Sequence, residues 1–339
     1  VDRYRNILII QTAFIGDVIL TTPLVEVLNE EYPGAAIDFL TIPASKVLVD
    51  TNPKIREVII FDKRGKNKGL RGLIQFANIL KHKNYDLCIT PHRSLRSAIL
   101  SRNTRAKVRI GFNRSALKLA FTHIVKYESH RHEIERNLSL LSAIGLHKKI
   151  VHPAIYETAE DMKKVQLLLK TKNIDKDIIF AVAPGSVWPT KRWPEAYYLE
   201  FCQILCSKGI QVFLIGGAED KKLCDRISEK LSMVHNSAGY FSLRESYSLL
   251  KQCSGILTND SAPLHLGMAA DIPVFAIFGP TVPEFGFAPF GAKSKIFESS
   301  NLNCRPCAIH GSKKCPIKTF DCMNNLRPAN IAQRVLDAL

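Results

Sequence analysis

The residues that could do chemistry sit where an apolar run gives way to a helical one. The first such place is Gly16-Asp17, just after the apolar stretch at residues 7–11. Free backbone N–H groups and the helix dipole favour an anion there. Asp17 could take the proton of a bound hydroxyl, although the dipole would hold its carboxyl low and make it a weak base in the unliganded protein. It could equally be the N-cap of a helix running through Leu28. Thr21-Thr22-Pro23 follow in the early turns of that helix and would give it a polar edge.

The second half repeats the arrangement three times. Pro184-Gly185-Ser186 end a buried run and precede Lys191-Arg192-Trp193-Pro194, so a loop carries two cations beside a helix start. That suits a diphosphate, though solvated cations beside a capped helix would leave the same signature. In Gly216-Gly217-Ala218-Glu219-Asp220 a carboxylate could accept bonds from ribose hydroxyls or simply cap a helix. Asn259-Asp260-Ser261-Ala262-Pro263-Leu264-His265 puts a proline near the first helical position, where the leading N–H groups are free for phosphate. His265, one turn in, could touch a ligand or be an ordinary satisfied polar residue.

Other chemistries lose their signatures. No G-x-G-x-x-G follows the first apolar run and no Gly-rich loop ends in Lys-Ser/Thr, which argues against nicotinamide and P-loop sites. His132-Glu133-Ile134-Glu135-Arg136 opens like a zinc-protease helix but lacks the second histidine, so it reads as a surface helix start. Of nine cysteines, Cys88, Cys202, Cys206, Cys224 and Cys253 stand in apolar surroundings and read as small core residues. Cys304, Cys307, Cys315 and Cys322 cluster with Pro306, Gly311 and Pro316. They could hold a structural zinc, pack a loop as reduced thiols, or pair on oxidation.

The elements that must position these groups alternate along the chain. Strands are expected at 7–11, 36–40, 58–61, 86–90 and 108–112, with helices between them and a long helix at 133–144 stopped by Gly145. After a polar connection at 146–157, Thr158 and Asp161 form a capping box for a helix through Leu169. Strands at 178–183, 211–215, 255–258 and 274–278 then alternate with helices near 195–207, 220–231, 243–252 and 264–270. The pattern predicts an α/β fold of two doubly wound domains, residues 1–155 and 156–339, with the last helix at 328–339 free to pack back on the first. Ligands would sit in a cleft at the carboxyl ends of the strands.

The 339 residues can bury two cores, and no run approaches the roughly 18 apolar residues of a spanning helix, so the chain is expected to be cytoplasmic. Lys plus Arg exceed Asp plus Glu by 47 − 31 = 16. Residues 63–132 hold 17 of the bases against only Asp86 and Glu128, so nearly all the excess lies in one-fifth of the chain. That segment reads as an anion-facing surface. Its few aromatics, among them Phe76, Tyr85 and Tyr127, form no stacking motif, which weighs against a nucleic-acid partner.

Four motifs in register, Ile15-Gly16-Asp17-Val18 with Pro23, Pro184-Gly185 with Lys191-Arg192-Trp193-Pro194, Gly216-Gly217 with Glu219, and Asn259-Asp260-Ser261 with His265, closely resemble the ADP-heptose:lipopolysaccharide heptosyltransferases of glycosyltransferase family 9. The Lys-Arg-Trp-Pro pairing is most similar to the heptosyltransferase II branch. The resemblance implies a GT-B fold of two Rossmann-like domains facing a cleft, an N-terminal domain for the acceptor and a C-terminal one for the nucleotide sugar. It implies inverting transfer from ADP-heptose without a catalytic metal or required cofactor. Asp17 would be the base, with Gly185, Ser186, Lys191, Arg192, Glu219, Asp260, Ser261, Ala262 and His265 around the donor. From their own positions, at the first helix start and in the basic run just after the fourth strand, Gly16, Thr21, Arg93 and Arg96 are expected to line the acceptor side. The partner would be an anionic, Kdo-bearing glycolipid, met peripherally on the cytoplasmic face of the inner membrane. Another GT-B transferase or a nucleotide-sugar epimerase stays as the alternative.

Overall fold

A computed structural model describes residues 4–147, 150–174 and 177–339, and the chain divides into two compact units, Val1–Tyr156 and Glu157–Leu339. Residues 148–149 of the expected polar connection lie outside the described residues.

The first unit is one six-stranded sheet of β1 (Asn6–Ile10), β2 (Ala36–Thr41), β3 (Glu57–Ile60), β4 (Leu87–Thr90), β5 (Val108–Phe112) and β6 (His123–Val125), in the order β3-β2-β1-β4-β5-β6. Every pairing is parallel. Its helices are α1 (Ile15–Ile19), α2 (Thr22–Glu31), α3 (Gly69–Lys81), α4 (Leu95–Asn103) and α5 (Glu133–Ser139). The central strands are buried on both faces, as apolar runs without alternation require. The helix expected from Asp17 through Leu28 is two helices: Pro23 lies at the start of α2, and the chain restarts at Thr21 because proline cannot donate into a continuing helix. The expected helix at 133–144 is α5 followed by a tighter 3-10 stretch, Leu140–Ile144, and Gly145 stops it in the left-handed region at φ 84°.

The second unit repeats the plan. Its strands are β7 (Ile179–Ala183), β8 (Gln211–Leu214), β9 (Val234–Asn236), β10 (Ile256–Asn259), β11 (Val274–Phe278) and β12 (Lys295–Glu298), all parallel, in the order β12-β11-β10-β7-β8-β9. The helices are α6 (Ala159–Thr171), α7 (Glu195–Cys206), α8 (Lys221–Ser228), α9 (Leu243–Leu250), α10 (Ala262–Ala269), α11 (Asp321–Asn324) and α12 (Pro328–Leu336). Thr158 does cap α6, its hydroxyl accepting from Asp161 N at 3.2 Å. Ile331, Ala332 and Val335 of α12 belong to the second unit's own core, against α7. No helix among the described residues is long and apolar enough to cross a membrane.

Candidate active site

In the first unit the candidate groups collect at the carboxyl ends of β1, β3 and β4. Asp17 is not an N-cap. It occupies the third position of α1, and its carboxylate accepts the Phe14 N–H at 3.2 Å. Lys63, just past β3, reaches Thr12 O at 2.5 Å; burial lowers its pKa, Arg64 and Arg96 add to that, and Asp17 opposes it. His92, past β4, places Nδ1 3.0 Å from both Thr12 Oγ1 and Ser97 Oγ. Burial and the neighbouring Lys63 and Arg93 push its pKa down to about 4, so the ring is neutral at pH 7.

A second carboxyl, Glu133 at the start of α5, is buried. Loss of water pushes its pKa up to about 7, Arg136 pulls the other way, and the nearby Asp17 charge adds to the rise. Arg136 holds it at 2.7 Å through Nε and lies over the Tyr127 ring, which Arg93 also covers at 4.1 Å. Arg93 and Arg96 are exposed beside these groups, Arg96 in the first turn of α4. Of the residues expected on the acceptor side, Gly16 and Thr21 are buried, and the Thr21 hydroxyl donates to Asp17 O at 2.7 Å while accepting from Gln11 at 3.0 Å.

The second unit gathers its loops around Asn259. From the end of β10 its amide donates to Pro184 O and Gly185 O, and its oxygen accepts from Trp193 N and Tyr198 OH. One side chain thus ties the β7 loop to the Lys-Arg-Trp-Pro segment. Lys191 is not a solvated cation: it is buried and pairs with Asp260, Nζ to Oδ2 2.5 Å, while Thr281 donates to the same oxygen at 2.7 Å. Arg192 Nε donates to Ser186 O at 2.8 Å.

Glycines permit these loops to close. A Cβ on Gly185 would lie 2.2 Å from the Asp220 carboxylate, which accepts from Gly217 N. Burial raises the Asp220 pKa, whereas Glu219 stands exposed next to it. Ser261 stands just before α10, its hydroxyl turned to Asn259 O and not to the helix amides; the first turn is Ala262, Pro263 and Leu264, and His265 is buried one turn in, 6.2 Å from the Phe287 ring. Helix α10, eight residues long, therefore presents its N-terminal amides beside Asp260 and Lys191.

Three features escaped the sequence reading. Lys63 and Thr281 meet their partners 51 and 21 residues away, and only Lys63 stood in a segment already marked as basic; Glu133 pairs locally with Arg136, but the run read as a surface helix start is buried. The four clustered cysteines are free thiols, and among the described residues no three His, Cys, Asp or Glu side chains gather as a metal site. Their segment has a mechanical role: Thr190 and Ser312 exchange backbone and hydroxyl hydrogen bonds, and Arg305 donates to Phe278 O, Gly279 O and Thr281 O. A cavity of ≈ 720 Å3 between β6 and α5 contains none of the candidate residues.

Two Rossmann-like units, each with polar and charged loops at its strand carboxyl ends, have the make-up of the GT-B fold class. The family model for glycosyltransferase family 9 (heptosyltransferase) matches residues 73–318. The chain belongs to glycosyltransferase family 9. It is 25% identical over 297 residues to the lipooligosaccharide heptosyltransferase 2 of Haemophilus influenzae, covering 83% of this chain and 85% of that one. Among solved structures, a family 9 glycosyl transferase from Veillonella parvula superposes with a TM-score of 0.79 at 25% identity, covering 87% of this chain and 86% of that one. ADP-heptose lps heptosyltransferase II of E. coli has the same fold, with a TM-score of 0.79 at 21% identity and 98% of each chain covered.

Proposed function

We propose that this chain transfers heptose from ADP-heptose to the inner core of lipopolysaccharide, as a heptosyltransferase II type enzyme. The observation that carries the donor side is the cluster of Lys191, Asp260 and Thr281 beside the α10 amides. A leaving diphosphate needs cations and N–H donors in a dry place, and Lys191, Arg192, Ser186, Ser261, Ala262 and the Gly185 loop supply them. Asp260 and His265 then serve the sugar end, and Glu219 the ribose.

On the acceptor side Asp17 takes the hydroxyl proton as that oxygen attacks the anomeric carbon from the face opposite ADP, inverting it. Gly16 shapes the backbone at this point. Arg93 and Arg96 meet the anionic groups of the glycolipid. The reading needs no catalytic metal, because fixed cations and helix amides can do its electrostatic work. The test is ADP release from ADP-heptose with and without a truncated, lipid-free core acceptor, repeated with excess EDTA. Acceptor-dependent ADP release that survives EDTA supports the proposal; no release with any core acceptor, or abolition by EDTA, refutes the part concerned.

A further inference from the structure

Helices α3 and α4 lie side by side on one face of the first sheet, with the short turn Lys118–Ala120 beside α4. Their inner sides are ordinary core: Leu73, Phe76, Ala77, Leu80 and Leu100 close on the strands. Their outer sides differ. Leu70 is 68% exposed, Ile74 50% and Leu119 81%, with Leu95 and Ile79 also outward. Leu70 and Ile74 stand one helical turn apart, so they form a stripe and are not scattered singletons.

The charge around this stripe has one sign. Neither helix contains an acidic residue, and each has an arginine in its first turn, Arg71 and Arg96, where the helix dipole disfavours a cation. Lys66, Lys68, Arg102 and Lys118 are exposed around them. The carboxylates nearest in sequence are engaged elsewhere. Asp62 accepts from the amides of residues 64–66, Asp86 from those of Arg5 and Asn6, and Glu57 pairs with Lys83. Exposed aliphatic side chains in a field with a large cationic excess are complementary to a surface that is apolar beneath and anionic on top.

We propose that the outer face of α3, α4 and the 118–120 turn lies against an anionic lipid surface. Leu70 and Ile74 enter the boundary between headgroups and acyl chains, and Arg71, Arg96, Arg102 and the lysines hold headgroup phosphates. A nucleic acid would use the same cations but gains nothing from an aliphatic stripe without aromatic rings to stack on. The inference deepens the glycolipid-acceptor reading and rests on it for its choice of partner.

The experiment is flotation of the full chain with phosphatidylcholine vesicles containing roughly one-third phosphatidylglycerol, with pure phosphatidylcholine vesicles and duplex RNA as comparison arms. The wild type floats with the anionic vesicles, fails to float with the neutral ones, and is released as salt rises. L70E/I74E lowers anionic partitioning at least roughly tenfold, with Tm and sugar transfer to a lipid-free acceptor unchanged. K66Q/K68Q/R71Q lowers it in the same direction and keeps the result interpretable if the first variant does not fold. Equal flotation of wild type and L70E/I74E overturns the proposal, as does RNA binding without flotation. Normal flotation by a chain that transfers no sugar to the lipid-free acceptor supports the surface and removes the acceptor reading alone.

Discussion

At the scale of single residues, one substitution separates the helix role of Asp17 from the base role proposed for it. Asn in its place keeps an oxygen for the Phe14 N–H, so Asp17→Asn should preserve Tm and ADP affinity while turnover falls roughly 100-fold or more, the loss expected for a positioned base. Near-normal turnover would leave Asp17 as a helix residue only. Lys191→Ala removes a charge-assisted contact worth about 1.5–3 kcal/mol, so calorimetry should show ADP affinity down by roughly tenfold or more, with acceptor KM little changed. Lys191 was legible from sequence as a cation at a strand end, but its pairing with Asp260 was not, because 69 residues separate the two. His92 gives a pH dependence. Its folded pKa, about 4, lies below the ordinary 6.5, so unfolding takes up a proton between these values. The stability it contributes is full above pH 6.5 and is lost as pH falls toward 4. Replacing His92 with Gln should flatten the slope of denaturation midpoint against pH in that window; an unchanged slope would mean the ring is not the titrating group.

At the scale of elements, helix α10 depends on a close approach that ordinary helix propensity would misjudge. Alanine normally improves on a mid-helix glycine, but a Cβ on Gly267 would lie 2.7 Å from Ile256 Cγ2 and 2.9 Å from Val274 Cγ2, on the strands beneath. Gly267→Ala should therefore destabilise the unit by about 1–3 kcal/mol in chemical denaturation and weaken ADP as the α10 N-terminus shifts. A stabilised variant would show that the helix floats free of the sheet. The buried strands β1, β4, β7 and β11 were readable as uninterrupted apolar runs. The short edge strands β6, β9 and β12, polar and three or four residues long, were not, because sheet pairing and not local pattern creates them. The break between α1 and α2 was signalled by Pro23, but the run of apolar residues on either side hid it.

At the scale of the molecule, the basic excess lies in the first unit, which the proposed function gives to the acceptor. Arg93→Glu with Arg96→Glu should raise acceptor KM by roughly tenfold at low ionic strength, progressively less as salt is added, with ADP affinity unchanged. Identical acceptor kinetics at low salt would reduce both arginines to solvated surface. The two-unit plan was visible in the restart of alternation after Thr158, whereas the attachment of α12 to the second core rests on side-chain fit that no periodicity reports. The hydrogen bonds joining Ser312 to Thr190, and the Arg305 fork on the loop after β11, carry a further consequence. The loop that carries Lys191 is moored by chain synthesised more than a hundred residues later. A protease nick between Arg305 and Ser312 would spare every strand of both sheets yet loosen the mooring, so a nicked protein should pass as folded by its spectrum while ADP affinity in calorimetry falls, as the proposed donor site requires.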